Sequence, residues 1–237
     1  MLIRHATVIE PEVLNFRLTT VLIDVLKDKS EKVKRKAMAA LGEFLFYGAT
    51  QVDENLDVWD MPDECFNTLL KVLRNTAEDE IVRFYVCKTI ENITAQARTV
   101  GSRFAQLNIL LSLVGLYATA KLDLLKVSIT SCFHHSVTLN EALLEPLLDK
   151  LGVKHLAQTF ENLDTNPKIT QILMGLVVTQ LFRTPNSRLS KNLLEDEALI
   201  RSIMQLLDSS SAVIKGRVML YSYFLIKQNL RSVVYLH

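Results

Sequence analysis

Cysteine and histidine are the residue types of this chain best suited to chemistry, because they serve as nucleophiles and as metal ligands. The segment CFHHS places His134 and His135 two and three residues after Cys132. Adjacent residues on a helix point about 100° apart, so these histidines cannot both reach one metal ion from one face. Cys65 and Cys87 likewise have no base at an interpretable spacing. The sequence therefore predicts no metal site, no catalytic residue and no cofactor.

Other catalytic and phosphate-binding signatures are also missing. The chain contains no GxGxxG, GxxxxGK[ST] or HExxH segment. Its three cysteines are an odd number without a CxxC pair, which favours reduced, buried thiols in a cytosolic protein. We expect that this chain is not itself an enzyme. An all-α enzyme stays open as a rival class, but it needs a cleft with convergent titratable groups.

The composition is typical of a folded, helical protein. Hydrophobic residues make up 49% of the 237 residues, and there are only 7 Gly and 5 Pro, which excludes disorder and low-complexity repeats. A net charge of +1 provides no field over the whole molecule that would attract nucleic acid. The longest uncharged run, residues 104–120, is too short and too polar for a membrane span, and MLIRHATVIE is not a signal peptide. We expect a cytoplasmic protein that is part of a longer chain.

A repeat organises the sequence. Five stretches share an apolar helix, a short polar turn and a second helix whose first apolar residue we call the anchor. Successive anchors are 49, 43, 44 and 45 residues apart, close to the roughly 40–47 residues of HEAT and armadillo units. Residues four and eight positions after each anchor continue a buried stripe. The anchors are Val33, Val82, Leu125, Ile169 and Ile214.

This pattern predicts an all-α fold, an armadillo/HEAT-like α-solenoid forming a right-handed superhelix of about five repeats. We predict one repeat domain over residues 1–237, with the first helices on the convex side and the second helices lining the concave side. Its approximate units are 12–50, 62–98, 104–136, 140–184 and 190–237.

A basic residue follows the anchor in four of the five repeats. These residues form what we call the basic row: Lys34, Arg83, Lys126 and Lys215, with Thr170 as the exception. One interpretation is structural, with each cation pairing with carboxylates or carbonyls of its own or the next repeat. The other is functional, with the row docking an acidic partner protein.

An acidic insertion, residues 51–65, lengthens the spacing between the first two anchors to 49 residues. It has six carboxylates, no Lys or Arg, and the single tryptophan of the chain, Trp59. Trp59 either covers an edge of the core or anchors a partner protein, since interfaces are enriched in tryptophan.

The basic run from Lys27 to Lys36 is the one local patch suited to nucleic acid, an anionic lipid surface or an acidic tail. A solvated face at a repeat turn is the alternative. A helical-repeat nucleic-acid-binding or adaptor protein is therefore a second functional hypothesis.

Two segments also carry a family resemblance. VKRKAMAALGEFLFYGATQ at 33–51 and LLKVLRNTAEDEIVRFYVCKTIENI at 69–93 flank the acidic insertion. Together they resemble the armadillo/HEAT-type C-terminal region of Fused-type (ULK-family) serine/threonine kinases and pseudokinases. The tail IMQLLDSSSAVIKGRVMLYSYFLIKQNL is similar to a later repeat of that region.

The resemblance implies a non-catalytic scaffold that binds proteins in microtubule-based structures such as motile cilia and the axonemal central apparatus, or in plants the cytokinetic apparatus. It carries over no kinase site, because VAIK, HRD and DFG are absent. We expect partner-binding residues among Lys34, Arg83, Lys126, Lys215 and Trp59, microtubule- or axoneme-associated proteins as partners, and no small-molecule substrate.

Overall fold

The computed structural model describes residues 18–50 and 59–234, and in these ranges it contains helices joined by turns and no strand. The predicted all-α solenoid fold class is therefore confirmed. None of these helices is long and apolar enough to cross a bilayer. Contacts divide the chain into two compact units, Met1–Glu141 and Ala142–His237, which are described separately.

The first unit is built from helix pairs. Its second helices are neighbours, since α4 packs against both α2 and α7, and the short α5 follows α4. The helices are α1 (Leu18–Val25), α2 (Glu31–Thr50), α3 (Asp63–Arg74), α4 (Glu80–Gln96), α5 (Arg98–Ser102), α6 (Leu107–Thr119) and α7 (Asp123–Leu139).

The second unit has three helices in each repeat, an arrangement also found among armadillo units. Here α10 packs against α13, and α9 packs against α12. The helices are α8 (Leu144–Leu151), α9 (Val153–Glu161), α10 (Pro167–Arg183), α11 (Arg188–Glu195), α12 (Glu197–Gln205) and α13 (Ala212–Val234), with 3₁₀ turns at Glu141–Leu143 and Leu206–Asp208.

Side-chain caps begin the second helices α4 and α10, whereas α7 has no side-chain cap of its own. Asp79 accepts hydrogen bonds from the backbone N–H groups of Ile81 and Val82, which have no partner inside α4. Asn166 caps α10 in the same way, with Pro167 at the first helical position.

The predicted buried stripe is present with two exceptions. In α4, for example, Val82, Val86 and Ile90 are completely buried. Val33 was expected on the stripe but is 37% exposed, because it lies in the first turn of α2 and burial begins one turn later at Ala37. Ser222, at the end of the stripe in α13, is half-buried.

Gly152 separates α8 from α9 and has φ +78° and ψ 144°, a conformation that residues with a side chain rarely adopt. A Cβ at this position would meet no atom within 4 Å, so only the backbone conformation requires glycine.

We expect Gly152→Ala to lower the free energy of unfolding by about 1–3 kcal/mol, the typical cost of such a backbone conformation. Gly216→Ala is the matched control, because its Cβ also meets nothing within 4 Å but the residue lies in helix α13. The control should gain up to about 1 kcal/mol. Urea denaturation measures both, and equal effects would contradict the explanation.

Candidate protein-interaction surface

Ion pairs join the first repeat to the second. Arg35 of α2 donates Nε to Oδ1 of Asp79 at 2.9 Å and Nη2 to Oδ2 at 2.7 Å. This bidentate geometry is the strong form of such a contact, and it lowers the pKa of the Asp79 carboxyl. The same carboxylate caps α4. One side chain thus fixes both the start of α4 and its position against α2.

Lys34 contributes a second connection between these repeats. Its Nζ lies 2.8 Å from Glu31 in its own helix and 3.0 Å from Glu78 in the turn before α4. Hydrogen bonds to Glu31 and Glu78 raise the pKa of Lys34. Lys34 therefore makes the contacts that the structural interpretation of the basic row predicts.

The second repeat joins the third through a carboxylate at a helix start. Glu80 accepts hydrogen bonds from the backbone N–H groups of Lys121 and Leu122 at 3.0 Å each. These donors stand just before α7, where the helix dipole favours a negative charge. Deeper in the same interface, Ser128 donates to Glu91 at 2.8 Å. The three second helices of this unit are consequently held in register.

The members of the basic row have different environments. Arg83 is only 8% exposed, and its Nε has no hydrogen-bond partner. Lys126 is half-buried in α7, and Lys215 is half-buried in α13 of the second unit. Among the ion pairs of residues 18–50 and 59–234, only Lys34 of this row takes part. Lys34, Arg83 and Lys126 thus do not form a row of equally exposed cations.

Helical geometry explains why the position after the anchor does not face outward in any of these repeats. The buried stripe consists of the anchor and the residues four and eight positions after it, and its centre lies about 40° around the helix from the anchor. The residue directly after the anchor is only about 60° from that centre. Positions six and ten lie about 120–160° away from that centre. Position ten is exposed or half-buried in all three second helices of the first unit, whereas position six is half-buried at Lys88 of α4 but buried at Ser131 of α7.

Sequence reasoning overlooked these outward residues, although the helical periodicity contained the signal. We define the second-helix surface as the outward, exposed or half-buried side chains of α2, α4 and α7. They are Lys36, Glu43, Tyr85, Lys88, Asn92 and His135. Ten residues after the anchor, the three repeats contribute Glu43, Asn92 and His135 in equivalent positions.

Trp59 lies against α2. A Cβ at Gly48 would be 3.0–3.2 Å from three atoms of the indole ring, so glycine makes room for it. Arg103 holds the following residues with Nη2 2.6 Å from Asp63, and it stacks 4.6 Å from the centre of the Phe66 ring. Half-buried Trp59 therefore covers an edge of the first repeat. Residues 51–58 of the acidic insertion lie outside the described residues.

The cysteines are buried, free thiols. Burial raises the pKa of Cys65 to about 11 and also raises the pKa of Cys87 and Cys132. These thiols are therefore protonated at neutral pH and act as core residues. Over residues 18–50 and 59–234, no group of three or more His, Cys, Asp or Glu is arranged to hold a metal ion.

Comparison with known proteins connects the chain to kinases. It is 29% identical to the serine/threonine-protein kinase RUNKEL of Arabidopsis thaliana in an alignment of 250 residues that covers 98% of this chain. It is 22% identical to the serine/threonine-protein kinase ULK4 of Mus musculus in an alignment of 234 residues that covers 97% of this chain. The chain spans 18% of the length of each relative. No family profile matches it. The resemblance to Fused/ULK-type kinases is confirmed.

A solved structure supports the fold. The crystal structure of an engineered protein, a structural-genomics target, superposes with a TM-score of 0.54 over 88% of this chain and 79% of its own. At 14% identity, this similarity concerns the fold alone.

We expect a double-mutant cycle of Arg35→Ala and Asp79→Asn to give a measurable stabilising coupling, because the pair is bidentate and bridges two repeats. The control cycle, Lys27→Ala with Asp24→Asn, concerns a pair with side chains 74% and 63% exposed and should give a clearly smaller coupling.

The Arg35–Asp79 coupling should also depend on pH. The folded pKa of Asp79 is lowered, so its stabilisation is complete above the unfolded pKa of about 3.9 and declines as pH falls towards the folded value. Urea denaturation between about pH 3 and 6 measures this. A coupling that stays constant below pH 3.9 would contradict the assigned pairing.

We expect Gly48→Ala to displace the Trp59 ring and to cost about 1–3 kcal/mol through overpacking. The fluorescence of this single tryptophan should shift to longer wavelength as the ring meets more water. Gly115→Ala in α6 is the control, because its Cβ meets nothing within 4 Å. An unchanged spectrum and stability in Gly48→Ala would show that the ring does not pack there.

Proposed function

We propose that this chain is a non-catalytic, helical-repeat region that binds other proteins within a Fused/ULK-type kinase or pseudokinase. The observation that carries the proposal is the second-helix surface, where α2, α4 and α7 present Glu43, Asn92 and His135 at equivalent positions beside further exposed or half-buried polar side chains. The contacts of Asp79 and Glu80 hold these helices in register. A partner binding there would meet a preorganised surface, which lowers the entropic cost of association.

The chemistry of this surface favours an extended segment with both polar and aromatic groups. Lys36 offers a cation, Glu43 an anion and Asn92 an amide that can both donate and accept hydrogen bonds. Lys88 beside them is already paired with Glu91 at 3.1 Å. Tyr85 adds aromatic area in contact with Phe84, with ring centres 5.4 Å apart. Repeat proteins use such adjoining helix faces to hold extended partners.

Proteins of microtubule-based structures, including cilia and the axoneme, are the proposed partners. The support is the resemblance to Fused-type kinases together with the relation to RUNKEL and ULK4. A cytoplasmic location at the cytoskeleton or cilium belongs to the same proposal. The basic run favours nucleic acid less, because Lys27, Lys34 and Arg35 already pair with carboxylates of the chain.

We expect Lys36→Glu with Asn92→Glu to reduce partner capture at least tenfold without lowering the melting temperature, because both side chains lie on the outward surface. The tagged chain would be incubated with the detergent-resistant cytoskeletal fraction of ciliated cells, and bound proteins would be quantified by mass spectrometry. The control is Asn67→Glu with Lys71→Glu, which places the same changes on exposed positions of α3.

Several outcomes would contradict parts of the proposal. Equal loss in test and control variants would exclude the second-helix surface, and loss only with Lys126→Glu and Lys215→Glu would favour the basic row. Captured proteins with no microtubule association would overturn the cytoskeletal assignment. Tight binding of RNA or duplex DNA that weakens steeply with salt would favour the nucleic-acid hypothesis.

A further inference from the structure

Helix α13 has an exposed apolar stripe. Met219, Leu220, Tyr223 and Ile226 are between 53% and 64% exposed. Their spacing of three and four residues places them on one side of the helix. The opposite side of α13 is buried, with Val218 and Tyr221 fully enclosed. Four large apolar side chains on one helix face are typical of an interaction site.

The exposed stripe of α13 occupies positions after the anchor that are buried in the preceding repeat. Met219, Tyr223 and Ile226 stand five, nine and twelve residues after the anchor Ile214. In α10 of the same unit, the residues five and twelve positions after the anchor are Met174 and Leu181, and both are completely buried.

The helix that covers this side of α10 is the last helix of the next repeat. The guanidinium of Arg217 in α13 lies across Gly175, where an added Cβ would be 3.0 Å from it, and donates to the carbonyl of Gln171. Burial lowers the pKa of Arg217, which agrees with an enclosed position. The side of α10 that corresponds to the exposed stripe of α13 is therefore an interface between repeats.

The first unit shows the same rule twice. In α4, Cys87 and Glu91 stand five and nine residues after the anchor, and Cys132 and Ser128 of α7 donate to them. In α2, Gly42 stands nine residues after the anchor and lies against Thr89 of α4.

We infer that the stripe of Met219, Leu220, Tyr223 and Ile226 binds a further helical repeat of the same protein, supplied by polypeptide that follows residue 237. The inference goes beyond the proposed function, since it concerns a stacking surface and not the second-helix surface. The relatives are compatible with it, because this chain spans only 18% of their length.

A second copy of the chain fits this stripe less well. The contacts that α13 and α7 make with the second helix before them are directional, since a polar group of the later helix donates to the earlier one, as Arg217 does to Gln171 and Ser128 to Glu91. A two-fold dimer would bring identical stripes together and could not reproduce that polarity. In the docked repeat, the residues three and seven positions after its anchor should cover the stripe of α13. Ser128 and Cys132 of α7 cover the equivalent side of α4 in this way.

The experiment compares residues 1–237 with a natural polypeptide extended by about 45 residues, one repeat. Hydrogen exchange should show at least tenfold greater protection of α13 amides in the longer polypeptide. Met219→Glu with Tyr223→Glu should abolish that gain while leaving the melting temperature of residues 1–237 unchanged, because these side chains are exposed there. Leu163→Glu with Phe182→Glu is the control, since both are exposed and outside the stripe, and it should keep the gain.

Equal protection of α13 in the two lengths would overturn the inference. Protection that rises with the concentration of residues 1–237, together with a dimer mass in light scattering, would overturn it in favour of a second copy. A gain that survives Met219→Glu with Tyr223→Glu would show that the added residues act elsewhere.

Discussion

Each repeat of this chain depends on its neighbour, because a pair of amphipathic helices cannot bury the apolar surface of its second helix alone. Helix α4 shows the consequence most clearly. It packs against α2 on one side and α7 on the other, and Val82, Cys87 and Ile90 are completely buried as a result. A helix in this position needs two apolar sides, which explains how 49% hydrophobic residues are accommodated without one deep globular core.

Apolar packing alone would not fix how far one second helix slides along the next, and the polar contacts provide that restriction. Arg35 reaches Asp79 across the interface while Asp79 also caps α4. Glu80 then reaches the first N–H groups of the following second helix. Because these groups belong to helix ends, a slip of one turn would break these hydrogen bonds and separate the two members of the Arg35–Asp79 pair.

The sequence predicted the fold through features that are local and periodic. The anchors and the stripe both repeat, so each supports the other. Two features were not predictable in this way. One is the break at Gly152 between α8 and α9, where the sequence pattern predicts a single first helix of the repeat. The break depends on the positive φ of this one residue, and a glycine in the sequence does not show by itself that its φ is positive. The burial of Arg83 depends on which neighbours pack around α4, which the spacing from an anchor does not determine.

The same geometry separates stacking from partner binding on each second helix. Positions five, nine and twelve after the anchor belong to the interface between repeats, so they are restricted in size, as the contact of Gly42 with Thr89 shows. Position ten of the first unit is exposed or half-buried and carries residues as different as Glu43, Asn92 and His135. Folding therefore places little restriction on the chemistry of the outward positions. The side chains at this position are therefore free to vary without disturbing the stacking of the repeats, unlike Gly42 and Cys87 in the interface.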